Sequence, residues 1–75
     1  MSDTKHAVIL VYATSHALRA EQLLAEVGIR SKLIPVPRHL SSDCGVCLRI
    51  DQSAIGRAGQ LLKNAGLKIL GISVI

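Results

Sequence analysis

The side chains able to do covalent chemistry crowd into one stretch, Pro37-Arg38-His39-Leu40-Ser41-Ser42-Asp43-Cys44-Gly45-Val46-Cys47. Both cysteines of the chain lie in it. A cysteine attacks as its thiolate, which nearby cations or a helix N-terminus favour. Arg38 and His39 are candidates for that role, and so is His16 in the segment Ala13-Thr14-Ser15-His16. Asp43 acts in the opposite direction.

Three uses of Cys44 and Cys47 compete. A C-x-x-C pair can be redox-active or bind metal. If residues 44–50 form a regular strand, alternation sets Cys44 with Val46, Leu48 and Ile50, and Cys47 with Gly45 and Arg49. Three strand steps put the two Cα atoms about 10 Å apart, whereas a disulfide needs about 4.4–6.8 Å. A zinc or copper site using both thiols would need further ligands, and His39 and His16 are the nearby imidazoles. The second use is burial, since cysteine packs as a small apolar side chain, and Cys47 fits it best. In the third, Cys44 is a solitary nucleophile that accepts and passes on a group. Gly45 beside it leaves the backbone open and places an amide next to the sulfur.

The elements that must position these residues follow from an internal repeat. Ala20–Ile29 (AEQLLAEVGI) and Ala58–Leu67 (AGQLLKNAGL) share A-x-Q-L-L-x-x-x-G-[IL] at an offset of 38 residues. Each copy has helical apolar spacing and ends in a glycine, Gly28 or Gly66, suited to the left-handed position past a helix. Ser15 and Ser53 are expected to cap the two helix starts. The expected buried stripes are Ala17, Ala20, Leu24 and Val27, then Ile55, Ala58, Leu62 and Ala65. Flanking segments rich in Val, Ile and Leu read as strands: Ala7–Ala13, Ser31–Pro37, Gly45–Asp51 and Ile69–Ile75.

The chain is therefore expected to be one α+β domain over residues 1–75, built from two βαβ halves (about 7–37 and 45–75) joined by the cysteine loop 37–47. Two right-handed βαβ units side by side predict a ferredoxin-like βαββαβ sandwich, with a four-stranded antiparallel sheet in the order 4-1-3-2 and two helices on one face. That topology sets the cysteine loop on the same sheet edge as the turn into the first helix, whose unpaired N–H groups favour negative charge. Ala7–Ala13 is apolar on both faces, which fits either a strand at the sheet centre or a sheet covered by a second copy, a homodimer. Gly56 and Gly59 fall inside the second helix, where they fit close helix packing better than phosphate binding.

Composition narrows the function. The chain has 75 residues, a net charge of +4, one aromatic (Tyr12) and no Phe or Trp. It lacks the stacking platform of single-strand nucleic-acid readers. Its nine Lys and Arg are scattered, a pattern that fits a weak preference for anionic partners and no nucleic acid. The longest apolar run, Ala7–Ala13, is far short of a membrane span. Two cysteines without secretory context fit a reducing, cytoplasmic setting. Glu21, Glu26 and Asp51 are not spaced as an acid–base pair, and no cofactor fingerprint is present.

The run P-R-H-L-S-S-D-C-G-V-C-L-R, together with A-x-x-A-E-x-L-L in the first helix, resembles the family of small selenium/sulfur carrier-like proteins over nearly the whole chain. The resemblance implies a carrier rather than an enzyme, with Cys44 holding sulfur or selenium as a persulfide or perselenide. It implies a cysteine desulfurase or selenocysteine lyase as donor and a selenophosphate-synthesising or other enzyme as acceptor. Gly45, Arg38, His39, His16 and Cys47 are the supporting candidates. The alternatives are a regulatory or ligand-binding module of the same fold with a structural Cys44, and the zinc or copper binder.

Overall fold

A computed structural model describes residues 5–37 and 45–75. Its elements run β1 (His6–Leu10), α1 (Thr14–Glu26), β2 (Ser31–Pro35), β3 (Val46–Asp51), a 3₁₀ turn (Gln52–Ala54), α2 (Ile55–Asn64) and β4 (Gly71–Val74). The four strands form one antiparallel sheet in the order β2-β3-β1-β4, which is 4-1-3-2 when read from the β4 edge. The central strands are thus β1 and β3, and the edges are β2 and β4.

Residue period decides what each face buries. Ala7, Ile9 and Val11 of the first strand region join Leu48 and Ile50 of β3 and the helix residues Ala17, Ala20, Leu24, Ala58 and Leu62 in one core. A row of aliphatic side chains crosses all four strands in register, Leu33–Leu48–Ile9–Ile72. Both helices close this face. On the other face Val8, Leu10 and Cys47 are buried with Ile34 and Val36 against them.

Both helices end in the same way. The Gly28 N–H reaches the Ala25 carbonyl at 3.1 Å and the Ile29 N–H reaches Leu24 at 2.9 Å; Gly66 to Lys63 and Leu67 to Leu62 repeat the pattern at 3.0 Å each. These are paired Schellman endings, and Gly28 and Gly66 hold the positive φ they require, 80° and 76°. The motif corrects two expected core positions. Val27 and Ala65 are the C-cap residues, where the chain leaves the helix, and both are exposed. Ile29 and Leu67, just beyond the glycines, pack into the core instead.

The expected serine caps are also corrected. Ala13 and Ala54 are the N-cap residues, and neither has a capping side chain. Ser15 lies inside α1, and Ser53 sits in the 3₁₀ turn with its Oγ donating to Asp51 Oδ2 at 2.7 Å.

The glycines in α2 do not bring the helices together. A Cβ on Gly59 would touch Ile72 Cδ1 at 3.8 Å, an ordinary contact with β4, and one on Gly56 would meet open space. Gly59→Ala is therefore expected to stabilise the fold by about 1 kcal/mol through helix propensity, read as a higher denaturation midpoint.

The repeat holds at 38 residues for the helices but not for the strands. Ile9 and Leu33 share the helix-side face with Leu48 and Ile72, each displaced by one from the 38-residue match. A one-residue shift turns every side chain to the other face. Cys47, the sequence match of Ile9, is for that reason on the side away from the helices.

Candidate functional site

The sheet edge where β1 ends and β3 begins carries the candidate site. The last β1–β3 pair is Leu10 with Cys47, the last β2–β3 pair is Pro35 with Val46, and the Val36 N–H then donates to the Gly45 carbonyl at 3.2 Å. Gly45 is pinned beside the end of β2 at the edge from which the chain enters α1. It is exposed, its φ is not in the left-handed region, and among the described residues a Cβ there would meet nothing within 4 Å. Cys44, Arg38 and His39, like Ser41, Ser42 and Asp43, lie outside the described residues.

Cys47 is fully buried. It sits in a regular strand between Leu10 and Ile34 on its own face, with Val46, Leu48 and Ile50 turned the other way. Its Sγ is 4.0 Å from the Pro35 carbonyl oxygen, a weak S–H donor contact, and it forms no disulfide. A thiol with no solvent access cannot meet the sulfur of another protein. Brief alkylation of the native protein should therefore leave Cys47 unmodified and label it only in denaturant, as peptide mass spectrometry would show.

His16 is the third residue of α1. Its ring is half-buried, and Nδ1 is buried with no hydrogen-bond partner among the described residues. A buried nitrogen without a partner is costly, about 1–3 kcal/mol. The sequence carries the signal for this burial: His16 precedes Ala20 and Leu24 by four and eight residues, on the buried stripe of the helix. The first turn of α1 contains no acidic residue and no side-chain cap. Its positive end is not neutralised from within the helix and favours an anion brought to this edge.

Arg49 shares the Cys47 face of β3 but lies two pairs further along, opposite Val8 and Lys32. It takes no part in this edge. Among the described residues no group of three His, Cys, Asp or Glu side chains is placed to hold a metal ion, and no helix is long and apolar enough to cross a membrane.

The family model described as "Putative Se/S carrier protein-like" matches residues 6–73. The chain belongs to this family. Its match takes in β1 to β3, both helices, the cysteine segment and all but the last residue of β4. No curated protein and no solved structure matches this Se/S carrier-like chain significantly.

Proposed function

We propose that this protein, a ferredoxin-like domain, is a small sulfur or selenium carrier that holds a persulfide or perselenide on Cys44. Membership of the Se/S carrier-like family supports the class of function. The observation that carries the choice of residue is the burial of Cys47 inside β3, which leaves Cys44 as the thiol for exchange with another protein.

In the loading step the Cys44 thiolate attacks the outer sulfur of a donor enzyme's persulfide. The new Sγ–S bond forms as the donor's S–S bond breaks, and the electron pair leaves on the donor cysteine as its thiolate. The transferred atom keeps its oxidation state, so no external oxidant or reductant enters. A perselenide loads in the same way. Three groups support an anion at this edge: the Gly45 amide adjacent to Cys44, the positive end of α1, whose first turn contains no acidic residue, and the His16 side chain in that turn. Arg38 and His39 are the further cations we assign to the loaded site. A cysteine desulfurase or selenocysteine lyase is the donor class this chemistry needs, and the acceptor is an enzyme that consumes reduced sulfur or selenium.

The test is intact-protein and peptide mass spectrometry after incubation with an active cysteine desulfurase and cysteine, and separately with a selenium donor. A reductant-labile gain of one sulfur or selenium atom on Cys44 is expected. An unmodified Cys44 beside a donor shown to be turning over would overturn the proposal.

A further inference from the structure

At the far end of the sheet from Gly45, the starts of β1 and β2 and the end of β3 enclose a cleft of about 450 Å³. About 17 Å of strand separates it from Val46, at 3.3–3.4 Å per residue. Its charged lining is Arg30, Lys32, Arg49, His6 and Asp51. His6, the Arg30–Lys32 pair and Arg49 come from three separate parts of the sequence, and the strand register brings them together. Lys32 pairs directly with Arg49 across β2 and β3, and His6 pairs with Asp51 across β1 and β3.

Two features point to a ligand. Like charges directly opposite each other in an antiparallel pair are destabilising, yet Lys32 and Arg49 are set so, with no ion pair or side-chain hydrogen bond to relieve them among the described residues. The one acid of the lining, Asp51, already accepts a hydrogen bond from Ser53. Three permanent cations against one carboxylate leave a cleft with a net positive charge, in which guanidinium forks and an ammonium are suited to tetrahedral oxyanions.

We propose that this cleft binds a small polyanion of the phosphate type, independently of the thiol chemistry at the other end of the sheet. Its volume falls in the range of small-molecule sites. It is concave and carries charged side chains, without the aromatic anchors typical of protein docking surfaces. A small anion therefore fits it better than the face of an acidic protein. Arg49 and Lys32 hold the anion between the two strands, Arg30 closes it from the residue before β2, and His6 adds a ring N–H donor.

The probe is inorganic pyrophosphate, titrated calorimetrically into the whole chain at low salt, with orthophosphate and a short poly-glutamate peptide as comparisons. Saturable one-to-one binding of pyrophosphate is expected. Arg49→Gln and, separately, Lys32→Gln should each weaken it by about tenfold or more, the loss of charge-assisted hydrogen bonds. Lys63→Gln on the distant α2 should leave it unchanged. Lys32 is on an exposed edge strand, so that variant keeps the test valid if Arg49→Gln fails to fold, as judged by circular dichroism. Absence of saturation at millimolar pyrophosphate, equal weakening by Lys63→Gln, or tighter binding of poly-glutamate would each overturn the proposal, the last in favour of an acidic protein partner.

Discussion

In Cys44→Ser the sulfur or selenium adduct is expected to fall to background, while Cys47→Ser keeps it. The contrast rests on two different physical losses. A serine hydroxyl at position 44 is not ionised near neutral pH and cannot displace a thiolate from a donor's S–S bond, so transfer stops altogether. At position 47 the thiol is buried between Leu10 and Ile34, out of reach of another protein's sulfur. Replacing it by Ser buries a hydroxyl among aliphatic side chains, at a cost of about 1–3 kcal/mol, offset where the new O–H reaches the Pro35 carbonyl. Loading is measured by peptide mass spectrometry on both variants, and stability by urea unfolding. A Cys47→Ser protein that folds but no longer loads would show that the two thiols act as a pair and would sink the single-thiol mechanism.

The largest effect on stability is expected from Ile9→Ala. Ile9 is fully buried at the centre of β1, paired with Leu48 on one side and Ile72 on the other, beneath the helices. Truncating a buried isoleucine costs about 2–5 kcal/mol, through lost transfer energy and the cavity that remains. At about 0.05–0.15 kcal/mol per residue, a chain of this length has a total stability of roughly 4–11 kcal/mol. The substitution thus removes a large part of the margin, and a substantial unfolded population at 37 °C is the expected result. Denaturant titration followed by circular dichroism checks it; a loss under 1 kcal/mol (a value well below the usual range for such truncations) would mean that the Leu33–Leu48–Ile9–Ile72 row is not the centre of the core.

The neighbour pairs of the sheet, the helix ends and the face of Cys47 were all legible before any coordinates. They depend on short-range signals: apolar period, a glycine past each helix, and alternation along Val46, Leu48 and Ile50. What escaped depends on exact position. Val27 and Ala65 continue a helical stripe in the sequence, and only the geometry of the Schellman turn shows that Ile29 and Leu67 replace them in the core. Ser15 and Ser53 are good capping residues placed one position inside the helix or in the preceding turn. At the candidate site, the buried face of Cys47 is where its local sequence sets it. The buried Nδ1 of His16 depends on packing around α1, and the meeting of Lys32 with Arg49 depends on strand register, which no local pattern specifies.

The strand order has a consequence for how the molecule comes into being. The ladders are β1 with β3, β1 with β4 and β2 with β3, so every one of them joins a strand of the first half to a strand of the second. Neither βαβ half holds a single ladder of its own. A ribosome that has released only the first half has released two strands with nothing to pair with, and the sheet waits for residues 71–74 before its last edge can close. Assembly is then a single cooperative event between the halves, slowed by the long sequence separation of its contacts. For the same reason, two separate peptides cut within the 38–44 connection would each be unstructured alone and would find their fold only in each other.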